Sequence, residues 1–209
     1  MPKTRSFDNY HDEYEKWFIE NKTIYENEIE VIKRFLPAFS LGLEIGVGTG
    51  RFAVPFGINT GVDPSFKMAV KAKSHGINVV LAAAESLPFK NNTFNFILIV
   101  TSICFFDNVQ LALNEAYRVL KKSGCIIIGF IDADSTLGKE YSLKKERSKF
   151  YKEATFYSAE TLTDYLMKAK FSNFEYKQAL FDDAAAGIDF KKDYGEGGFV
   201  AIKANKAES

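Results

Sequence analysis

The chain has 209 residues, 46% of them apolar, enough to fill the core of one domain. Its 27 lysines and arginines balance 27 aspartates and glutamates, so no net field draws it to nucleic acid or to an anionic membrane. Apolar runs such as Phe96 to Val100 are far too short for a bilayer, and no signal or transit peptide is visible, so a cytoplasmic protein is expected.

Residues 1–36 read as a helical N-terminal cap. Tyr25, Ile29, Ile32 and Leu36 recur at helical spacing, and Pro37 ends the run. Tyr10, Tyr14, Trp17, Phe18 and Tyr25 crowd this segment, mostly as packing residues. Leu41 to Ile45 is the first strand. A short helix is expected from about Thr49, stopped early by Pro55 and Gly57. Ile58 to Val62 is the second strand, and Ser65 caps a helix to about Ser74 that Gly76 closes. Ile77 to Leu81 and Phe94 to Val100 are strands three and four, the latter apolar but for Asn95, as suits a strand covered on both faces. A helix from about Asn108 to Lys121 carries Val109, Leu113, Ala116 and Leu120 on one face, and strand five runs from Cys125 to Phe130. This β/α alternation predicts a parallel sheet wrapped by helices, with a ligand crevice where strand order reverses beside strand one.

The alternation breaks after Phe130. Residues 132–155 read as a charged linker with a helix that covers the pocket, and the run Lys144 to Lys149 as a solvated helix face. Ser158 caps a helix to about Lys170, with Leu162, Leu166 and Ala169 as its core stripe. Strands at Phe171–Phe181 and about Gly198–Lys203 complete the single domain, 1–209. The acidic, Ala/Gly-rich stretch Asp182 to Gly197 reads as a flexible loop near the pocket mouth.

Chemistry concentrates in Glu44-Ile45-Gly46-Val47-Gly48-Thr49-Gly50. Alternate glycines after a buried strand let the backbone take positive φ and let a ligand lie on the peptide groups. Glu44 inside the strand needs a ligand or partner that brings donors or positive charge. Asp63, nineteen residues on, ends strand two, where an acid accepts both hydroxyls of a ribose. Dinucleotides and S-adenosylmethionine both fit such a unit. Arg51 stands where the nicotinamide fingerprint has its third glycine, and Glu44 would repel a pyrophosphate, so adenosylmethionine is favoured.

Four ordered segments carry a family resemblance: Leu43 to Phe52, Gly61-Val62-Asp63-Pro64-Ser65, Ala84-Glu85-Ser86-Leu87-Pro88-Phe89 followed by Phe94, and Ala112 to Lys121 leading to Gly124. A looser echo is Phe156 to Leu162. Together they resemble the class I S-adenosylmethionine-dependent methyltransferases, in the ubiquinone/menaquinone-biosynthesis-like (type 11) subgroup. The resemblance implies a Rossmann-like α/β fold, with seven mostly parallel strands of which the last is antiparallel. It implies S-adenosyl-L-methionine as cofactor and methyl transfer to a small-molecule acceptor. The turn Gly46, Val47, Gly48, Thr49 and Gly50 would pack on the cofactor's amino-acid part, with Glu44 holding the turn and the methionine end. Asp63 would accept from the ribose, and Pro64 and Ser65 would flank the adenine. Ala84, Glu85 and Ser86 would form the adenine edge, and Thr101 and Ser102 the floor. The sequence departs from the pattern at Ala83, where an aspartate is common, at Asn95, and at Ser123 and Lys170, where glycine is usual.

Methyl transfer needs alignment and exclusion of water; a general base is needed only for an acceptor that carries a proton. His11 in the N-terminal segment is the candidate base, whereas His75 beside Gly76 and the Glu115–Arg118 pair read as structural. Cys104 and Cys125 read as reduced residues in apolar surroundings, and no cluster has metal-ligand spacing. The alternatives are a nicotinamide-dependent oxidoreductase and a non-catalytic cofactor-binding module. Oligomeric state and acceptor identity have no signature in the sequence.

Overall fold

The computed structural model describes residues 3–38, 40–181 and 190–207. Three helices open the chain: α1 (Arg5–Asn9), α2 (His11–Glu20) and α3 (Lys22–Lys33). They are followed by β1 (Gly42–Ile45), β2 (Thr60–Asp63), α4 (Phe66–Ser74), β3 (Asn78–Leu81) and β4 (Phe94–Val100). Then come α5 (Val109–Val119), β5 (Leu120–Ile131), α6 (Thr136–Lys144), α7 (Ala159–Lys168), β6 (Phe171–Ala179), β7 (Lys191–Lys192) and β8 (Phe199–Lys206).

The sheet order is β3-β2-β1-β4-β5-β8-β6-β7. Strands β1 to β5 pair in parallel, and β8 runs antiparallel between β5 and β6. The expected seven strands and antiparallel last strand are therefore present. The two-residue β7 adds an eighth at the edge, where two exposed lysines give no apolar pattern to read. Strand order reverses between β1 and β4, which opens a crevice at their C-terminal ends.

Alternation along β4 divides the core. Ile97 and Ile99 face the layer of α5 and α7, with Leu113, Leu162 and Leu166. Phe96, Leu98 and Val100 face the other layer, with Val31 and Ile32 of α3 and Ala69 and Ala72 of α4. Both layers are fully buried at their centres, so β4 reads as an apolar run from Phe96 to Val100. Ser65, Asn108 and Ser158 each accept a backbone N–H of the helix they start, from Met68, Leu111 and Thr161. Glu115 and Arg118 form the expected pair at 2.7 Å. Arg118 also donates to the carbonyls of Leu87 and Phe89, and Glu115 accepts from the N–H of Leu87, so the pair clamps that packed turn.

Three expectations need correction. The helix expected to Lys121 ends at Val119, because Leu120 already pairs with Phe94 as the start of β5. No helix follows the glycine turn: residues 49–57 form a chain of turns. Gly50 has φ +87° and Gly57 φ +67°, and these left-handed residues at both ends leave no room for a regular helix. The buried stripe of α3 is also rotated from the expected one. Asn27, Glu28, Val31 and Ile32 are buried there, while Tyr25 and Ile29 are half-buried. Most of the stretch Asp182 to Gly197, residues 182–189, lies outside the described residues.

Ser123 and Lys170, noted as departures, both take left-handed backbone, φ +59° and +70°. Lys170 follows the last turn of α7 and donates its N–H to the carbonyl of Met167, the position where glycine most often ends a helix. Lys170→Gly is expected to raise stability by about 0.5–1 kcal/mol, and the melting temperature by roughly 1–4 °C in a domain of this size. Scanning calorimetry of the two proteins checks this.

Candidate functional site

β1 ends in the turn Gly46 to Gly50, and the fold holds that turn from three sides. From β2, Asp63 reaches across: one carboxylate oxygen accepts the N–H of Gly48 at 2.8 Å and the other that of Ser65 at 2.8 Å. Each oxygen keeps a further lone pair for a ligand hydroxyl. From β4, the Ser102 hydroxyl donates to the carbonyl of Ile45 at 3.0 Å. From behind, His75 Nδ1 lies 2.9 Å from the carbonyl oxygen of Thr49. Gly46 has φ +71°, and a Cβ there would lie 2.5 Å from Ser102 Cβ. Only glycine lets β1 and the end of β4 approach so closely.

The N-terminal helices lie over the same turn. Glu15 of α2 accepts from the Thr49 hydroxyl and pairs with Arg51 at 2.5 Å. The Tyr25 hydroxyl donates to the carbonyl of Arg51. A Cβ on Gly48 would stand 3.4 Å from the Tyr14 hydroxyl. Asp8 of α1 accepts from the Ser65 hydroxyl at 2.6 Å.

A cavity of about 180 Å3 opens beneath these helices. Of the predicted residues, Gly46, Gly48, Asp63, Pro64, Ser65, Ala84, Glu85, Thr101 and Ser102 line it. Glu44, Val47, Thr49, Gly50, Ser86 and His11 do not. Val47 packs in the core, Thr49 is fully buried, and His11 lies 3.6 Å from Asp12 with Nδ1 buried and unbonded among the described residues. Ala83 lines the adenine-facing edge expected of this segment, together with Glu85 and Asp107.

Two buried acids set the electrostatics of the turn. Glu44 is 1% exposed; its Oε2 is buried with no hydrogen-bond partner among the described residues. Burial holds its carboxyl well above the usual range, the N–H of Ala53 pulls it back, and the charge of Asp63 pushes it further up. Burial likewise pushes Asp63 up to about 6, against the hydrogen bonds from Ser65 and Gly48. A buried carboxylate oxygen without a partner, as Glu44 Oε2 is among the described residues, costs roughly 1–3 kcal/mol.

Sequence reasoning missed Glu28 of α3. It lines the cavity with Tyr14 and Trp17 of α2, Tyr141 of α6, Phe150 and Tyr151, an aromatic chamber drawn from the two segments expected to cap and cover the pocket. The readable signal was an acid four residues before Ile32 on the apolar face of α3. Burial alone pushes Glu28 up to about 8. The folded state therefore binds a proton that the unfolded state, with its ordinary value of 4.5, gives up. That contribution is fully present below about pH 4.5 and is lost as pH rises through 8. Glu28→Gln is accordingly expected to melt at a higher temperature than the parent, with a gap that widens from pH 5 to pH 9 and reaches roughly 2–4 kcal/mol. Thermal melts across that range check the sign.

Among the described residues no group of three or more His, Cys, Asp or Glu could hold a metal ion, and no helix is long and apolar enough to cross a membrane. Residues 43–128 match the family described as Methyltransferase domain. An uncharacterised protein of Methanocaldococcus jannaschii is 52% identical over 202 residues, 96% of this chain and 98% of that one. A crystal structure of an S-adenosylmethionine-dependent methyltransferase from Thermotoga maritima, named a possible histamine N-methyltransferase, is 46% identical. It superposes with a TM-score of 0.94 over 97% of this chain and 99% of that one. A ubiquinone/menaquinone biosynthesis C-methyltransferase of Agrobacterium fabrum is 38% identical over 72 residues, 34% of this chain and 28% of that one.

Proposed function

Because this chain belongs to the class I S-adenosylmethionine-dependent methyltransferases, we propose that it methylates a small organic acceptor held in the aromatic chamber of its cavity. S-adenosyl-L-methionine is the cofactor of this family and supplies an activated methyl group on a sulfonium. The residues present fit it. Asp63 has lone pairs free for the ribose hydroxyls, and Ala82 to Glu85 offer an edge to the adenine. Gly46 and Gly48 leave bare backbone for the methionine part, and Glu44, buried and outside the cavity lining, would act through the turn rather than on the ligand.

The observation that carries the reading is that one cavity joins the Asp63 end to the aromatic chamber. A donor and an acceptor in that cavity would meet near Thr101 and Ser102. The chain's own work is then alignment and exclusion of water. The rings of Tyr14, Phe105 and Phe106 offer π-faces to a cationic centre. Residues 1–36 act as a cap and residues 132–155 as a lid within one domain. Supporting this, Asp8 and Glu15 hold the cofactor-side turns, and Lys149 pairs with Glu13 at 2.6 Å, tying the second segment to the first.

The name of the Thermotoga relative favours an acceptor of metabolite size, and the balanced charge of the chain gives no support to a nucleic-acid substrate. The test is incubation with methyl-labelled S-adenosylmethionine and a fractionated metabolite extract. The expected result is a low-molecular-weight compound that gains one methyl group only with active enzyme. Label appearing solely in protein or RNA fractions would overturn the reading.

A further inference from the structure

We propose that the acceptor is a small amine that enters the cavity as its ammonium ion, and that the Glu28 carboxylate receives it and takes its proton. This rests on the methyl-transfer reading above and adds to it the acceptor's class and the residue that recognises it.

Glu28 lines the cavity although it is only 3% exposed, so what it faces is enclosed space. Among the described residues no hydrogen bond or ion pair reaches its carboxyl, and burial raises it. Tyr14 from α2, Tyr141 from α6 and Tyr151 line the same cavity, and the charge of Glu28 raises all three hydroxyls, as it does that of Tyr25 on α3 itself. Lys3 is the one lysine or arginine lining the cavity among the described residues, and its charge acts on Cys104 instead. Against it stand the carboxyls of Glu28, Asp63, Glu85 and Asp107.

A buried acid walled by aromatic rings suits an ammonium ion. The rings attract it through their faces, and the carboxylate accepts a charge-assisted hydrogen bond. A neutral apolar acceptor would leave the acid's desolvation uncompensated. The chemistry also needs a proton acceptor, because an ammonium nitrogen has no lone pair. At about 8, Glu28 is a far better base toward an alkylammonium, about 10, than an ordinary carboxylate is. Glu28 takes one proton from the ammonium. The freed nitrogen lone pair forms the new C–N bond as the C–S bond breaks, and that bond's electron pair stays on sulfur. The product leaves as a methylammonium, and Glu28 returns its proton to water.

The test is isothermal titration of the full chain saturated with S-adenosylhomocysteine. The probes are benzylamine, 2-phenylethylamine and tryptamine, with benzyl alcohol and 2-phenylethanol as uncharged counterparts, each in two buffers of different ionisation enthalpy at pH 7.5. At least one amine is expected to bind at least tenfold more tightly than the alcohols, releasing roughly 0.5–1 proton as Glu28 ionises. Glu28→Gln should weaken that amine at least 30-fold and abolish the proton release, while changing S-adenosylhomocysteine affinity less than twofold. Glu28→Asp, which keeps the charge, should retain the proton release. Alcohols binding as well as amines, no probe binding, or unchanged amine binding by Glu28→Gln would overturn the proposal while leaving the cofactor site standing. Failure of the parent protein to bind S-adenosylhomocysteine would overturn the methyl-transfer reading itself.

Discussion

Replacing Asp63 by alanine is expected to weaken S-adenosylhomocysteine binding by about 100-fold or more. The carboxylate supports two structures at once. It accepts the backbone N–H groups of Gly48 and Ser65, and its remaining lone pairs face the ribose position. Hydrogen bonds to a charged acceptor contribute roughly 1.5–3 kcal/mol each, so losing two to the ligand alone exceeds a hundredfold. Alanine also leaves the two N–H groups unpaired, which loosens the turn before any ligand arrives. Asparagine should do little better, because its NH2 group meets one of those N–H donors. Ser86→Ala is the control: Ser86 lies in the same family segment as Ala84 and Glu85 but does not line the cavity, and its loss should leave affinity within twofold. Calorimetric titration of the three variants separates a ligand contact from a general effect on folding.

Gly46→Ala is expected to cost more stability than any other single-methyl change in the turn. A left-handed φ of +71° costs a residue with a Cβ about 1–2 kcal/mol. The new methyl would also stand 2.5 Å from Ser102 Cβ and 2.6 Å from its hydroxyl, so β4 must shift at its C-terminal end. Overpacking of this kind adds roughly 1–3 kcal/mol. The sum of about 3 kcal/mol lowers the melting temperature by roughly 6–12 °C. Cofactor affinity should fall with it, since Ser102 and Gly46 both line the site. Gly57→Ala tests the reasoning. Gly57 has φ +67° but nothing within 4 Å of its Cβ position, so only the backbone cost of about 1 kcal/mol should appear, with affinity unchanged.

Much of this could be read from the chain because burial writes itself into composition. β4 is covered on both faces, and the apolar run Phe96 to Val100 marks most of its length. The helix caps Ser65 and Ser158 announce themselves by residue type. Glu44 was legible as an anomaly, an acid inside a buried strand.

What failed to show depends on geometry that a one-dimensional pattern does not carry. The turns after Gly50 looked like a helix because Arg51 to Val54 have no objection to one; the left-handed glycines decide otherwise. Ser123 and Lys170 looked like losses of glycine, yet the backbone kept the glycine conformation. Glu28 escaped notice because the α3 stripe was drawn through Tyr25 and Ile29. A rotation of about one position puts that glutamate in the wall of the cavity.

The central claim is that the bend between β1 and residue 50, with Asp63 across from it, holds the adenosyl cofactor. A crystal of the full chain grown with S-adenosylhomocysteine tests it most directly. The expected density lies on Gly46 and Gly48, with both ribose hydroxyls within hydrogen-bond distance of the Asp63 carboxylate and the adenine along Ala82 to Glu85. Density for the nucleoside elsewhere, or a turn left bare at saturating ligand with Asp63 bonded only to Gly48 and Ser65, would contradict it.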